Sequence, residues 1–552
     1  MKRWHWLWVL MATIALMATA CAESDDGDTT DGDASEDGDV SEDGDEDGDG
    51  DATDGDDDEA AIDGDAEAEE EAGPPERLPD APLKEHLPFD LTRPDEGAPL
   101  TDEEITAFTK KITGFWKQID YFRWVLWTSH GVDASTGLPD WMVWWTGVKA
   151  IKSGDLVTFY HHPNGGPDNI MIPTSKVLAQ AAAGYLLTDD PLMGQVTEQY
   201  SKGWSATFLG MVFDENDTVD TLPARAIIPN NHEFTFDGRR KAIDYTEWRH
   251  ETTDWNTNTI HYPNNPYWGD IWLKNMRSKD DVCHLFRTAP WLRFVAEWGQ
   301  DETVKEAAGD AYMFMRNFAK DVVDSGYTIR TKDADGNVYT PTEDLASFVA
   351  FDILVADAEC YAKLTSALLG YGQPLGIDCG QLSDNAYEKV AVATHYYNMA
   401  IIRNFHMSAI AAALMMDEND VAKNALAGLI DRTDRYMSMA DEDLPVSREE
   451  WDGDMAVYLV QSASLGMPLT SNEARLIQQY HAQAADVLGA WPYWDLWDAG
   501  VPDGEYDYRA NDQVEIEEIA FLLEYCVSPY TNETGAKFVD CEVVLNPAQW
   551  GL

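Results

Sequence analysis

The chain has 552 residues, of which 101 are acidic and only 38 are Lys or Arg, so its formal net charge is −63. This charge excludes proteins that hold nucleic acid or an anionic membrane surface through basic patches, because like charges repel. The length and an apolar content of 44% suffice for a large buried core. The sequence therefore predicts a folded, strongly acidic protein with no nucleic-acid partner.

Residues 1–20 have the features of a secretory signal peptide. Lys2 and Arg3 form a charged start, Trp6–Met17 is mostly apolar, and small residues precede Cys21. The placement of Cys21 resembles the lipobox of bacterial lipoproteins, in which this cysteine carries the lipid. The resemblance implies a surface-exposed outer-membrane lipoprotein of the bacterial cell envelope, attached to the membrane through that anchor only. An ordinary signal peptide with an incidental cysteine is the alternative.

Residues 21–73 are predicted to form the lipidated start and an acidic, disordered tether. Glu23–Glu71 contains 27 Asp or Glu residues and no Lys or Arg. Such a segment repels itself and cannot bury apolar surface, so we expect an extended spacer. Its carboxylates alternate with Gly, which makes calcium the one candidate cofactor, although the spacing is not that of an EF-hand. When these 27 acids and the basic residues Lys2 and Arg3 are left out, the rest of the chain still has a formal net charge of −38.

The six cysteines agree with an oxidising compartment. With Cys21 assigned to the lipid, the spacing predicts two disulfides, one joining Cys360 to Cys379 and one joining Cys526 to Cys541. There is no CxxC pair and no HExxH motif, so the sequence does not favour a structural or catalytic zinc site, and no metal ligand is assigned.

Residues 74–100 form a Pro-rich entry segment, and residues 101–552 read as one helical domain. Thr101 and Glu104 predict a capping box at the start of a helix. Residues 155–162 have strand character, and 327–339 predict a hairpin that turns at Gly336. Apolar periodicity predicts a helix at 105–122, and a helix at 177–187 followed by a second one that ends near 213. It predicts further helices at 280–298, 303–324, 345–369, 385–416, 420–439, 448–465, 472–488 and 514–525.

Paired helices whose inner members are more apolar predict a mainly all-α, single-domain fold with a small β-hairpin and long irregular loops. The arrangement resembles the six-hairpin α/α toroid of glycoside hydrolases and polysaccharide lyases. This resemblance is architectural: it implies a carbohydrate-active protein and carries no catalytic residue over. An irregular helical bundle or a solenoid is the alternative, and no solenoid repeat is visible.

Ile228–Trp298 is the stretch with the most candidate chemistry. It contains four histidines together with Trp, Asn and carboxylates, and its first half has no periodicity of 2 or 3.6. We therefore expect a long irregular segment over the mouth of the helical ring, forming a site. Glycoside hydrolysis needs two carboxylates, and the candidate catalytic residues are Asp280, Asp281, Glu233, His232, His250 and Arg277. Helix capping is the alternative role of the adjacent acids.

Elimination from a uronate instead needs a group that neutralises the carboxylate and a base that removes a proton. Residues of these types in the same stretch are Asn231, His232, His250, His261, Tyr262, Asn264, Asn265 and Arg277. The alternative is that they stabilise loops through bonds to the backbone.

An aromatic run near the C-terminus is the candidate substrate-binding segment. Sugar rings stack on aromatic faces while their hydroxyls bond to polar side chains, and the run provides both in Trp491, Tyr493, Trp494, Trp497 and Asp495. Filling of a helical core is the alternative role for these rings.

The leading interpretation is a surface lipoprotein that binds and cleaves a polysaccharide or oligosaccharide as a glycoside hydrolase. A polysaccharide lyase of the same architecture is the first alternative. A non-catalytic glycan-binding or scaffold lipoprotein is the second.

Overall fold

The computed structural model describes parts of the chain from residue 87 onward, all within the compact unit Glu71–Leu552. The described residues are 87–132, 141–143, 148–161, 170–217, 222–249, 251, 259–275, 279–325, 330–340, 407, 410–411, 413–414, 419–444, 446–507, 519–546 and 550. The predicted signal peptide, Cys21, the tether, Cys360 and Cys379 lie outside them. So do the predicted helix at 345–369 and most of the one at 385–416.

The helices lie close to the predicted positions. The capping box is confirmed: the Thr101 hydroxyl accepts the Glu104 amide, and the Glu104 carboxylate accepts the Thr101 amide. In chain order the described helices are α1 (Asp102–Ile119), α2 (Tyr121–Thr128), α3 (Met171–Thr188), α4 (Pro191–Leu209), α5 (Lys279–Trp298), α6 (Glu302–Asp324), α7 (Asn419–Met437), α8 (Arg448–Ser464), α9 (Ser471–Gly489), α10 (Phe521–Val527) and α11 (Cys541–Val544). The predicted pairs α3 with α4 and α5 with α6 pack together as one four-helix group.

The strands form more sheet than the sequence predicts. They are β1 (His130–Val132), β2 (Trp141–Val143), β3 (Val148–Ser153), β4 (Leu156–His161), β5 (Ala226–Ile228), β6 (His232–Phe236), β7 (Arg239–Asp244), β8 (Thr259–Asn265), β9 (Gly269–Lys274), β10 (Thr331–Lys332), β11 (Val338–Tyr339) and β12 (Gly504–Asp507). One sheet has the order β12-β3-β4-β7-β6 and another the order β5-β9-β8. The five-stranded sheet is mixed, because β4 and β7 run parallel while its other neighbours are antiparallel.

The prediction of a mainly all-α toroid is wrong. The described residues are 54% helical and 15% strand, and they include a five-stranded mixed sheet. That sheet joins β3 to β12, which lie more than 350 residues apart in the chain. Pairing over such a distance leaves no mark on local periodicity, so the helical pattern alone suggested a simpler architecture.

The central stretch is also not the long irregular segment that was predicted. It contains β6, β7, β8 and β9, which belong to two sheets. In β7 the three consecutive basic residues Arg239, Arg240 and Lys241 hide the alternation of buried and exposed positions, because Lys241 points into the core while its neighbours are more exposed. A strand whose buried position is occupied by lysine does not read as amphipathic from its sequence.

Lys241 anchors β7 to the end of α2. Its side chain is 0% exposed and its amine donates to the Ser129 carbonyl at 2.9 Å and to the Leu126 carbonyl at 3.4 Å. The same nitrogen lies 5.1 Å from the Phe234 ring centroid and 5.5 Å from that of Phe159. Burial without a carboxylate lowers the pKa of Lys241 to about 7.

The predicted hairpin at 327–339 is confirmed as β10 and β11. Gly336 has φ +82°, a conformation that favours glycine, and the Asp333 carboxylate accepts two amides of the same turn. Lys332 on β10 is 0% exposed and forms an ion pair with Asp217. The hairpin is thereby tied to the segment that follows α4.

The two ends of the described chain pack on each other. Helix α1 packs on α9, and Arg93 in the entry segment forms an ion pair with the buried Glu473 of α9 at 2.9 Å. Cys526 and Cys541 form a disulfide that joins α10 to the start of α11. These contacts close the fold between its first and last elements.

Candidate functional site

An open groove of about 650 Å³ lies between the end of α9 and β12. Its lining includes three aromatic rings and three carboxylates, namely Trp491, Tyr493, Tyr506, Asp503, Glu505 and Asp507. The rings of Tyr493 and Tyr506 meet edge to face with their centroids 5.1 Å apart. Sites that hold small ligands measure roughly 300–1,000 Å³, so the groove has room for a short saccharide.

The carboxylates of the groove are held as hydrogen-bond acceptors. Lys149 donates to Glu505 at 2.9 Å, and this bond lowers the pKa of Glu505. Burial and the nearby Glu505 raise the pKa of Tyr160, which therefore keeps its proton. Asp503 accepts the Gly154 amide at 2.9 Å. An ionised carboxylate only accepts hydrogen bonds, so the groove suits hydroxyl donors better than it suits acid catalysis.

Only part of the predicted substrate-binding run lines this groove. Trp494 is buried and packs edge to face on Trp124 with centroids 5.2 Å apart. The Trp497 indole donates to a backbone carbonyl of β7, and Asp495 forms an ion pair with Arg239 at 2.9 Å. Trp494 thus packs against α2, while Trp497 and Asp495 hold the run against the five-stranded sheet, as the core-filling alternative expects. Trp491 and Tyr493 are the members that reach the groove.

Glu233 and His232 do not form the neighbouring catalytic groups that their adjacency suggested. Consecutive residues of a strand point to opposite faces of the sheet. Glu233 is exposed and forms an ion pair with Arg240. His232 stacks on Phe234, and its Nδ1 lies 3.0 Å from the Asn230 carbonyl. Within the described part of the chain, the buried Nε2 of His232 has no hydrogen-bond partner.

The other predicted catalytic residues are only partly covered by the structure. Asp280 and Asp281 lie in the first turn of α5, six and seven residues after β9 ends at Lys274. Arg277 and His250 lie outside the described residues. The structure therefore leaves these four predictions as predictions.

A histidine and an aspartate pair across β8 and β9. The Nε2 atom of His261 lies 2.6 Å from the Asp270 carboxylate. The imidazole stacks on Trp272, with centroids 4.5 Å apart and planes 11° from parallel. Arg249 approaches the other carboxylate oxygen of Asp270 at 3.6 Å. The side chains of His261 and Asp270 are 33% and 52% exposed, so this cluster is accessible from solvent.

The sequence pointed to His261 but not to its three partners. Asp270 faces it across the turn between β8 and β9, where Asn265 lies opposite Gly269. Recognition of that hairpin would have placed an acid and a Trp beside the histidine. The signal was the Asn-Pro-Tyr-Trp-Gly sequence at 265–269, which is rich in turn-forming residues.

Other candidates for elimination chemistry are occupied by structural bonds. The buried Tyr262 hydroxyl donates to the Asp333 carbonyl at 2.9 Å, and burial raises its pKa. The Asn265 amide donates to carbonyls of the segment that follows α4. Asn231 donates to Asp244 and Thr246 and accepts from a backbone amide. His261 is the candidate base whose described surroundings leave it accessible.

A small interior cavity of about 20 Å³ lies between α5, α8 and α10. Its lining includes Gln461 and the buried pair of Arg287 and Glu524, whose charged atoms are 2.7 Å apart. A cavity of this size holds about one water molecule. It is therefore too small for a substrate.

Across the described ranges, no three or more His, Cys, Asp or Glu side chains are grouped to hold a metal ion. The predicted calcium would bind the tether, which lies outside these ranges. No described helix has both the length and the apolar character to cross a bilayer. No protein-family model, curated protein or solved structure matches this chain.

Proposed function

We propose that this chain binds a polysaccharide in the groove beside β12 and cleaves it while held at the bacterial cell envelope by its lipidated Cys21. The observation that carries the proposal is the groove itself, in which Tyr493 and Tyr506 stand beside three carboxylates. The cleavage part draws on the acids of the central stretch and on the accessible His261.

Saccharides match this lining because they combine two kinds of surface. The C–H faces of a sugar ring are apolar and pack on aromatic rings, while the hydroxyls donate hydrogen bonds. Asp503 and Glu505 accept such bonds without donating any. Their own bonds to Gly154 and Lys149 hold them in position, which reduces the entropy lost on binding.

The distance between the two candidate sites favours a polymeric ligand. The groove lies at the β12 edge of the five-stranded sheet. The cluster of His261 adjoins the opposite edge, where the Asn230 amide just before β6 lies 3.4 Å from the Asp270 carbonyl. Four strand spacings separate these edges, which is about 19 Å. A single ligand that reaches both sites must therefore extend over many ångströms, as a polysaccharide does.

The proposed location gives the tether a purpose. Residues 21–73 would span at most about 190 Å when fully extended. The mutual repulsion of the 27 acids in this stretch favours extended conformations. A domain on such a spacer reaches polymers that cannot approach the membrane closely.

The test is to measure binding of the purified protein to a panel of plant, algal and bacterial polysaccharides. Tyr493→Ala should weaken binding at least ~10-fold, which corresponds to about 1.4 kcal/mol. Tyr267→Ala is the matched control, since Tyr267 is 46% exposed and lies outside the groove. Equal effects of the two substitutions, or no binding to any polysaccharide, would remove the proposal. Newly formed reducing ends would measure cleavage in the same samples.

The non-catalytic alternative keeps the groove and omits cleavage. The observation in its favour is that Glu233, one of the predicted catalytic acids, is engaged by Arg240 on the sheet surface. Binding that depends on Tyr493 without any cleavage product would support this alternative.

A further inference from the structure

His261 is fixed in position more tightly than an ordinary surface histidine. Asp270 holds its Nε2 edge, and Trp272 covers one face of the ring. Two planar rings at 4.5 Å and 11° restrict rotation of the imidazole about its side-chain bonds. Asp270 is itself held by Arg249 through its second oxygen. A substrate would therefore meet a base whose direction is already set.

The pairing with Asp270 determines which nitrogen can act. The Asp270 carboxylate accepts a hydrogen bond from Nε2–H, so the neutral imidazole carries its lone pair on Nδ1. A buried or oriented carboxylate in this position also stabilises the imidazolium formed when the ring takes up a proton. With a third of the side chain exposed, His261 remains within reach of a large ligand.

Groups that could neutralise a substrate carboxylate lie beside the same aspartate. Arg249 is 16% exposed, and its buried Nη1 has no hydrogen-bond partner in the described part of the chain. A buried donor without a partner is destabilising, and more so on a charged group, so an entering carboxylate that accepts from it is favoured. The exposed amide of Asn230 also lies here, and the ring of His232 contacts the Asn230 carbonyl.

We infer that His261 is the general base for elimination from a polysaccharide of uronic acids, with Asp270 as its positioning residue. The inference rests on the proposed function and specifies the substrate class. His261 Nδ1 takes the proton from C5, the C4–O glycosidic bond breaks, and a C4=C5 double bond forms. The departing oxygen takes up a proton from water or from the imidazolium. Arg249 and Asn230 bind the carboxylate whose charge increases as C5 loses its proton.

The substrate test compares polyuronates with their carboxyl-reduced forms. The reduced polymer keeps the linkages but lacks the group that acidifies C5. We expect chain ends with the ultraviolet absorbance of an unsaturated uronate from the polyuronate, and none from its reduced form. Reducing ends that appear without this absorbance would indicate hydrolysis and overturn the inference while leaving the proposed function standing.

Variants then test the roles of the two residues. His261→Ala should lower kcat by ~10²–10⁴-fold, the usual contribution of a general base. Asp270→Asn should lower kcat and leave KM unchanged, because the amide no longer holds the imidazole with its lone pair on Nδ1 while the polymer still binds in the groove. Asp441→Asn is the matched control, since Asp441 is a surface acid paired with Arg448. It should change neither quantity.

Folding and binding controls keep the outcomes distinct. His261→Gln, which keeps a polar side chain, should fold and should bind the polyuronate through the groove as the parent does. Binding that depends on Tyr493 with no product from any polyuronate would overturn the inference alone. Activity that survives His261→Ala would overturn the role of the histidine. Absence of all binding would remove the proposed function as well.

Discussion

Replacing Lys241 with methionine should change how the stability of the protein depends on pH. The amine is fully buried, and its pKa is about 7 against 10.5 for an exposed lysine. The difference corresponds to about 5 kcal/mol of preference for the neutral amine in the folded state, at 1.36 kcal/mol per pKa unit. Methionine has a similar length and carries no charge.

The direction follows from the order of the two pKa values. The folded value is the lower one, so between about pH 7 and 10.5 the unfolded chain binds more protons than the folded chain. The free energy of unfolding of the parent therefore rises through this window, by about 1.4 kcal/mol per pH unit at most, and this group adds no slope well below pH 7. From pH 6 to pH 9 the parent should gain about 2.5 kcal/mol from Lys241.

The variant loses the two hydrogen bonds to the end of α2, at a cost of about 1–3 kcal/mol. At pH 6 we expect Lys241→Met to be about 2 kcal/mol more stable than the parent, and by pH 9 this advantage should be gone. Urea unfolding followed by tryptophan fluorescence at both pH values measures the difference. Lys305→Met, on a partly exposed lysine of α6, is the control.

A constant difference between parent and Lys241→Met from pH 6 to pH 9 would refute this reasoning. It would mean that the lysine stays protonated across the range. The carbonyls at the end of α2 and the Phe234 and Phe159 rings would then offset the effect of burial.

Three other changes should lower the stability measured in urea. Lys332→Met should cost about 3–5 kcal/mol near neutral pH, because it removes the buried ammonium that neutralises the Asp217 carboxylate, and a loss below 1 kcal/mol would contradict this. Reduction of the disulfide between Cys526 and Cys541 should cost about 3 kcal/mol for a loop of 15 residues; unchanged midpoints with a reducing agent would argue against it. Arg93→Met should cost a similar 3–5 kcal/mol by leaving the buried Glu473 uncompensated, and proteolysis of the entry segment should become faster.

The local features of the fold could be predicted because their causes are local. The capping box at Thr101 and Glu104 involves groups three residues apart, and the turn at Gly336 depends on residues of that turn. Helix pairs such as α5 and α6 follow from apolar spacing within each helix. These signals require no knowledge of distant partners.

The sheets were missed for two physical reasons. A lysine at the buried position of β7 breaks the alternation that marks a strand, since only its pocket of rings and carbonyls makes that position tolerable. The pairing of β3 with β12 depends on residues that are far apart in the chain. Because the sheets were not predicted, Ile228–Trp298 was wrongly predicted to be an irregular segment over a ring of helices.

The candidate site was predictable only as a set of residue types. The aromatic run was identified, but its division between core and surface depends on Arg239, which binds Asp495 from β7. His261 was identified, whereas Asp270 becomes its partner only when β8 and β9 are aligned. Residue types in the sequence thus identified candidate residues such as His261, whereas the register of the strands determines which side chains contact each other.

The contact between the two ends of the fold affects how the protein is made. Arg93 and Glu473 are 380 residues apart, and a ribosome adding about 5–20 residues per second needs roughly 20–80 s to synthesise that distance. During this interval the nascent α1 and β3 have no α9 or β12 to pack on. The segment with α9 and β12 therefore completes structures that begin more than 350 residues earlier, and a product truncated before that segment would leave those apolar surfaces open to aggregation.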